Sequence, residues 1–531
     1  MRCSSWADER NTFHLVSYDL LPSGRTINRS SEIFAGPPTV PIIGNAHLIP
    51  RKGAHFTFLE LAKKYGGMFS LKIGSNTLII LSDRRIIKEV LDKNSSISSN
   101  RPDLSVAHTI TGGDHLLFMD AGVEWRLFRR LLHQEFMSSR CDKVHIETQN
   151  AEAVQMLRDF IVYPDQYMLH AKRFSNSIIM SLLFGIRTPS FDTPHMQKLY
   201  HLMDHWSKIM EIGSTPPVDV FPFLQYIPER FLGNWKGRTA EVQQEMLGLY
   251  GEIVRHVMDR WKTAGSRGCF MDNVLEQNGK LDLNDHQLYF LGGVALEGGS
   301  DTSSSVINTC MHALVQWPEI QKKAQQEIDS VVDEDRTPVW SDFANLPYVT
   351  QVVKEAQRWR PVGGLGIPHV LTEDQWVDGK LLPKGATVMT NVWELHHDEK
   401  RYANPDVFDP EHYAGYTKVA PEYLTASDPE ARDHYAYGSG RRVCPGIHLG
   451  ERNLFLGICK LLWAFEFHKA VDASGNPIET DINPTTAYSE GFITSANKFP
   501  CRIVPRSEKR KATIMREFAD MERVFSKYET V

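Results

Sequence analysis

Hydrophobic positions recur mainly at helical spacing along this chain, and they predict a mostly helical body with a small strand-rich part near its start. Residues 71–73 and 78–81 are apolar and flank Gly74-Ser75-Asn76, a pattern typical of a β-hairpin. From about residue 284 to residue 317 no proline occurs and apolar residues recur at helical spacing, until Pro318 follows. A helix of this length spans about 50 Å. We therefore expect it to cross the core.

Two adjacent glycines, Gly298 and Gly299, interrupt the apolar pattern of this long helix. Each costs about 1 kcal/mol relative to alanine in a helix interior. One interpretation is the close approach of a neighbouring helix. The other is a widened turn that makes room for a small ligand, next to the acid Asp301 and the hydroxyl of Thr302.

The two ends of the chain differ in composition from the body. Residues 1–35 predict an N-terminal extension that precedes the stiff Gly36-Pro37-Pro38 segment. Its most apolar part, residues 13–21, contains His14 and Asp19 and is far shorter than a membrane span. We therefore expect a folded body over residues 36–505, no membrane anchor, and a charged tail over residues 506–531 that is helical.

Charge and cysteine usage exclude two classes of protein. The 531-residue chain has a net charge of -6 with both signs interspersed, so it lacks the basic stripe of a nucleic-acid-binding protein. Its seven cysteines are far apart and include no CxxC pair, which indicates a reducing compartment and excludes an ordinary zinc cluster.

One cysteine, Cys444, lies in a glycine-rich loop directly before a helical segment. A helix N-terminus and nearby backbone N–H groups favour a thiolate, which is the form that binds iron. Glycines allow the loop to lie flat against a planar cofactor, and Arg442 can reach a carboxylate on it. The alternatives are an inert buried cysteine and a nucleotide-binding loop. The second is excluded because Val443 occupies the third glycine position and no βαβ unit surrounds it.

The segment Tyr437-Gly438-Ser439-Gly440-Arg441-Arg442-Val443-Cys444-Pro445-Gly446 resembles the cysteine-ligand loop of cytochromes P450, with Tyr437 in place of the usual phenylalanine. The resemblance implies a single P450-type haem domain, mainly α with small β-sheets. It further implies that Cys444 is the axial ligand to the iron of haem b. Tyr437 would pack beneath the haem near the sulfur.

Other segments match the same family in the expected order. Glu355 and Arg358 resemble its Glu-x-x-Arg pair, and His412 stands where an arginine usually completes a charge triad. Trp125 and Arg129 match its Trp-x-x-x-Arg helix. The resemblance implies that the haem contacts, including those to the propionates, come from Trp125, Arg129, His369 and Arg442, and that Gly299, Asp301 and Thr302 form the groove for oxygen binding and proton delivery.

The resemblance implies a haem-thiolate monooxygenase that uses O2, a small organic substrate and electrons from a separate NADPH-dependent flavoprotein reductase. The sequence also resembles those of fungal secondary-metabolism members of the family, some of which hydroxylate small aromatic polyketides. By the same analogy, residues 107–117, 290–297 and 362–365 and the turn near Phe492 line the substrate pocket. Two alternatives use the same cysteine: an isomerase or dehydratase that needs no reductase, and a non-catalytic haem-binding sensor.

Partner surfaces are also expected. Arg126 and Arg130 share a helix face that points away from the face of Arg129. This face either contacts an acidic surface of the reductase or is simply exposed to solvent. Residues 216–224 form an apolar, aromatic loop suited to shallow membrane insertion. We expect a cytoplasmic protein, or one bound peripherally to the cytoplasmic face of the endoplasmic reticulum.

Overall fold

A computed structural model describes residues 35–489 and 491–530, and the expected N-terminal extension up to residue 34 lies outside the described residues. The described part is mainly helical. Its α-helices are α1 (Ala54–Tyr65), α2 (Arg84–Ile87), α3 (Ser105–Thr111), α4 (Val123–Phe136), α5 (Ser138–Arg140), α6 (Ile146–Val162), α7 (Tyr167–Phe184), α8 (Pro194–Met210), α9 (Trp235–Ala264), α10 (Phe270–Leu281), α11 (Asp285–Gln316), α12 (Pro318–Val331), α13 (Pro347–Trp359), α14 (Val392–His396), α15 (Ala420–Leu424), α16 (Ile447–Ala464), α17 (Glu508–Asp520) and α18 (Glu522–Phe525).

The strands are few and short: β1 (Met68–Ile73), β2 (Asn76–Leu81), β3 (Ile186–Arg187), β4 (His369–Val370), β5 (Gln375–Val377), β6 (Lys380–Leu382), β7 (Thr387–Thr390), β8 (Phe465–Lys469), β9 (Cys501–Pro505) and β10 (Glu529–Thr530). The largest sheet has the order β1-β2-β7-β4, and the other strands pair as β5-β6, β8-β9 and β3-β10. The predicted hairpin is present, with Ile73 opposite Asn76 and Met68 opposite Leu81.

The long helix predicted from the sequence is α11, and it lies within one residue of the expected bounds. Asn284 caps its start, because its side chain accepts from the Gln287 N–H (2.9 Å) while the Gln287 side chain accepts from the Asn284 N–H (3.1 Å). Pro318 begins α12 directly after it. Most α11 residues are buried, and the helix packs extensively against α7 and also against α9, α13 and α16. It crosses the core and carries one wall of the main cavity.

The C-terminal segment contains the helices α17 and α18 and the strand β10. It packs against α6, and β10 pairs in parallel with β3. The Arg187 guanidinium lies 3.6 Å from the centre of the Phe525 ring, and the Tyr528 hydroxyl is 2.6 Å from that of Thr148. This charged segment is therefore docked on the helical body.

Across residues 35–489 and 491–530, no helix is long and apolar enough to cross a membrane.

Candidate active site

Cys444 lies in a loop between a short 3-10 turn (Gly440–Arg442) and the start of α16. Its N–H donates to the carbonyl of Tyr437 (2.9 Å), which fixes the loop. Gly440 has a φ of 63°, and a Cβ atom there would lie 2.0 Å from the Leu91 carbonyl oxygen. The loop can therefore pack this closely only with glycine at position 440.

The Cys444 side chain lines a cavity of about 390 Å³, and it is the only one of the six cysteines in the described part of the chain to do so. Burial raises the pKa of its thiol, while the Gly446 N–H and the Arg129 charge act in the opposite direction. A bound metal cation would overcome this effect, because coordination deprotonates a thiol. The geometry therefore presents one cysteine sulfur of the described residues to the cavity.

Tyr437 lines the same cavity, but its hydroxyl donates to the carboxylate of Glu451 on α16 (2.8 Å). Glu451 also accepts from the N–H of Ala420 (2.9 Å). Burial raises the pKa of Tyr437 well above its usual range, and the charge of Glu451 adds to this effect. The hydroxyl group that distinguishes Tyr437 from the usual phenylalanine is therefore hydrogen-bonded to Glu451.

One end of the cavity is strongly cationic. The Arg442 guanidinium lies 4.4 Å from the centre of the Trp125 ring and donates to the carbonyls of Ser99 (2.8 Å) and Leu116 (3.2 Å). Arg129 on α4 donates to the carbonyl of Val443. These two arginines and Trp125 thus lie together at the cavity wall, as the sequence resemblance implies.

His369 and Arg101 complete this cationic end. Arg101 donates to the carbonyls of Leu117 (2.7 Å) and Ile367 (2.9 Å). His369 is hydrogen-bonded through Nδ1 to the Ser98 carbonyl (2.7 Å). Burial lowers the pKa of His369 to about 3, and the charges of Arg101 and Arg442 act in the same direction. A bound anion would reverse that effect.

Arg101, Arg129 and Arg442 form no ion pair with any carboxylate of residues 35–489 and 491–530, since their partners are carbonyl oxygens. Enclosing guanidinium groups in a cavity wall without an ion-pair partner is costly. The chemistry of this donor set therefore fits a cofactor that brings two carboxylates of its own.

Beside the cavity, α13 carries the Glu355–Arg358 pair, whose two hydrogen bonds measure 2.7 and 2.6 Å. Both side chains are completely buried. Arg358 also donates to the carbonyls of His396 and Pro405 (both 2.8 Å). His412 lies 3.1 Å from Glu355 through Nδ1 and 2.7 Å from the Ala403 carbonyl through Nε2. This network ties α13 to the chain that leads to the Cys444 loop.

The adjacent glycines Gly298 and Gly299 of α11 have different surroundings. A Cβ atom on Gly299 would lie 2.5 Å from the Ile179 side chain, so this glycine allows the close approach of α7. A Cβ atom on Gly298 would meet nothing within 4 Å, so this glycine leaves open space in the cavity wall. The helix is continuous through both glycines. The widened turn, one of the two interpretations that the sequence left open, is absent, and the space comes from the missing side chain of Gly298.

Thr302 and Asp301 lie on different faces of α11. Thr302 lines the cavity, and its hydroxyl donates to the Gly298 carbonyl (2.8 Å). Asp301 is not among the cavity-lining residues and lies near Lys172 and Tyr200. Burial raises the pKa of Asp301, and the Lys172 charge acts in the opposite direction. The structure therefore places only the hydroxyl of this pair at the cavity.

Comparison with known proteins agrees with this geometry. The cytochrome P450 family model matches residues 34–487. The chain belongs to the cytochrome P450 family. Cytochrome P450 monooxygenase macC from Penicillium terrestre is 51% identical over 502 residues, covering 93% of this chain and 94% of the relative. The monooxygenase AOL_s00215g282 from Arthrobotrys oligospora is 50% identical (93% of each chain), and patI from Aspergillus clavatus is 48% identical (94% of each chain).

The haem iron cofactor of the P450 family fits this cavity. Cys444 provides a sulfur ligand in the cavity wall, and the arginines without ion-pair partners at one end fit the two propionates. Arg101 belongs to this set but was missed by sequence analysis. No local pattern marks it, because it meets Arg442 and His369 only in the folded chain.

The substrate side of this P450 contains residues from each segment expected from the sequence. Leu116 and Leu117, Val294, Val362 and Phe492 line the cavity. A buried polar group that the sequence analysis did not single out accompanies this apolar wall, namely the carboxylate of Glu297. Its chemical role is argued below.

Proposed function

We propose that this cytochrome P450 monooxygenase inserts one oxygen atom of O2 into a small aromatic molecule of fungal secondary metabolism. The cofactor is haem b, and the electrons come from a separate NADPH-dependent flavoprotein reductase. The observation that carries the proposal is that Cys444, alone among the cysteines of the described residues, lines the same cavity as three arginines without an ion-pair partner.

The bound haem iron supplies the oxygen-activating chemistry, with a thiolate ligand that favours O–O cleavage. Cys444 provides this thiolate from a loop held by its own N–H bond to Tyr437. Trp125, Arg129, His369 and Arg442, with Arg101, bind the propionates and orient the cofactor. The apolar residues of the cavity exclude water from the substrate side.

Proton delivery is assigned to the Asp301–Thr302 pair. The Thr302 hydroxyl donates to the Gly298 carbonyl, and its oxygen lone pairs remain free to accept a hydrogen bond at the cavity surface. Asp301 lies on another face of α11, where burial raises its pKa and the nearby Lys172 charge acts in the opposite direction. Water molecules that connect the two faces can pass a proton from Asp301 towards Thr302.

The reductase is proposed to dock beside the Cys444 loop. Arg126, Arg130 and Arg441 are exposed there, and the first two lie on the outer face of α4. An acidic reductase surface would complement them. Arg126→Glu with Arg130→Glu should raise the KM for reductase about tenfold or more. The control Arg502→Glu, at an exposed residue of β9, should leave it unchanged.

The proposed function is tested by incubating the purified haem protein with reductase, NADPH, isotope-labelled O2 and a panel of small aromatic compounds. A monooxygenase consumes NADPH in step with product that carries one labelled oxygen atom. Product formed without reductase would indicate the isomerase or dehydratase alternative. NADPH-independent ligand binding with no product in any reaction would indicate the sensor.

A further inference from the structure

A buried polar cluster lies in the wall of the cavity on the substrate side. Glu297 on α11 lines the cavity and is 4% exposed. Its carboxylate accepts from the Tyr250 hydroxyl through one oxygen and lies 3.2 Å from His115 Nε2 through the other. The cavity residues beside it on α11 and in the α3–α4 connection are apolar, including Val294, Leu116 and Leu117.

The hydrogen bonds define the state of this cluster. The Leu117 N–H donates to His115 Nδ1 (3.3 Å), so that nitrogen is an acceptor and the ring proton lies on Nε2. His115 and Tyr250 are therefore both hydrogen-bond donors to Glu297. No Lys or Arg of residues 35–489 and 491–530 forms an ion pair with this carboxylate. The cavity wall thus contains a buried acidic group whose hydrogen-bond partners in the described residues are a histidine and a tyrosine.

The sequence of α11 builds this arrangement. A Cβ atom on Gly293 would lie 2.2 Å from the Tyr250 ring, so only glycine there lets Tyr250 approach the helix and reach Glu297 one turn later. His115 is completely buried and packs against the rings of Trp206 and Phe290. Both donors are therefore held rigidly.

The carboxylate retains unused capacity to accept hydrogen bonds. Each of its two oxygens has two lone-pair positions, and the described protein groups use one on each. Glu297 and Thr302 lie five residues apart on α11, a rise of about 7.5 Å. A small molecule of one or two rings can therefore contact Glu297 at one end and lie beside Thr302 at the other.

We infer that Glu297 is the specificity-determining residue for the substrate and accepts a hydrogen bond from a substrate hydroxyl group. The substrate class is a small, neutral, hydroxyl-bearing molecule, and analogues with an ionised carboxylate are rejected by like-charge repulsion. His115 and Tyr250 are positioning residues. This inference rests on the proposed function, because it names the substrate class of the same cavity.

The test uses three probes of similar size: 2-naphthol, its methyl ether 2-methoxynaphthalene, and 2-naphthoate. Dissociation constants are measured on the ferric haem protein by equilibrium dialysis, with no reductase or NADPH. The parent protein should bind the naphthol at least tenfold more tightly than the ether, and the naphthoate most weakly. Binding preference and oxygen insertion are thus measured separately, so either can fail alone.

Glu297→Gln keeps the side-chain size and removes the charge. It should weaken naphthol binding at least tenfold, leave ether binding nearly unchanged and improve naphthoate binding. Tyr250→Phe keeps the packed ring and should reduce the naphthol preference by a smaller factor. The matched control Val294→Ala, one turn earlier in the same wall, should change the affinity for all three probes in the same direction.

The inference is overturned if the parent protein shows no preference for the naphthol over the ether, or binds the naphthoate best. It is also overturned if Glu297→Gln keeps the parent preference. Should Glu297→Gln fail to fold, the parent preference and the Tyr250→Phe series decide the question. Loss of NADPH-dependent oxygen insertion with an intact probe preference would instead count against the proposed function.

Discussion

Mutation can separate the helix hydrogen bond of Thr302 from its proposed role in proton delivery. Its hydroxyl donates to the Gly298 carbonyl, as threonines in helices commonly do, and its oxygen faces the cavity. Thr302→Ala should keep haem binding normal but divert most of the NADPH to peroxide, because proton delivery fails. Thr302→Ser keeps the hydroxyl and should retain most of the coupling. The measurement is the amount of product and of peroxide formed per NADPH. An equal yield of product per NADPH in Thr302→Ala and the parent would contradict the role of Thr302 in proton delivery.

Tyr437 allows a second test at the residue scale. Tyr437→Phe restores the usual family residue but takes one donor from the buried Glu451 carboxylate. Stability should fall by about 1–2 kcal/mol, because a buried acceptor loses its partner. The absorption spectrum of the thiolate-ligated haem should barely move, since the hydroxyl bonds Glu451. Thermal unfolding and the spectrum are measured together, and a large spectral shift without loss of stability would contradict the assignment.

Single residues were predictable from sequence where a local pattern marks them. Cys444 and the Glu355–Arg358 pair were found because neighbouring residues define their motifs. Arg101 and the hydrogen bonds of Glu297 were not predicted, because Arg101 meets Pro368 from 267 residues away and Glu297 meets His115 and Tyr250 from 182 and 47 residues away. Such contacts form only when the chain folds, so no local sequence motif indicates them.

At the scale of elements, the strongest periodic signals gave the right helix and hairpin. The bounds of α11 follow from the Asn284 cap and Pro318, both visible in the sequence. The sequence left two interpretations of the glycines of this helix open, because a widened turn and the close approach of a neighbouring helix both call for glycine. The packing of Ile179 against Gly299 distinguishes them, and that contact comes from α7.

The connection between α13 and the Cys444 loop should respond to pH. Burial acts to lower the pKa of His412, but the hydrogen bond and charge of Glu355 and the Ala403 carbonyl raise it more, so the net shift is upward. Because the folded pKa exceeds the unfolded value of about 6.5, this contribution to stability is complete below that pH. It is lost as pH rises through the folded pKa.

We therefore expect the parent melting temperature to fall with rising pH above neutrality more steeply than that of His412→Arg, which stays charged. His412→Gln should lower stability by about 1–3 kcal/mol at acidic pH, where the charged hydrogen bond is strongest. Thermal midpoints across the pH series check this. Parallel pH profiles for the parent and His412→Arg would contradict a protonated His412.

At the scale of the whole molecule, an apolar surface suits contact with a membrane. Phe223, Tyr226 and Phe231 are 60%, 89% and 69% exposed, while the adjacent Val220 and Phe221 pack on the β1–β2 turn at Gly74. Replacing the three exposed residues with serine should weaken vesicle binding at least tenfold, because each inserted ring contributes about 1–2 kcal/mol.

Vesicle flotation measures this binding. The control Trp376→Ser, at another exposed aromatic residue on β5, should leave it unchanged. Carbonate washing should release the parent protein from membranes, as expected for peripheral association. Retention after carbonate washing, or equal flotation of the triple variant and the parent, would contradict this surface.

The most direct test of the central assignment is the spectrum of the reduced carbon monoxide complex. The parent should show the thiolate-type Soret band, and Cys444→His should bind haem without that band, because the sulfur ligand is gone. Cys310→Ala, at a buried cysteine outside the cavity, should keep the band unchanged. A thiolate-type band that survives in Cys444→His would contradict the account.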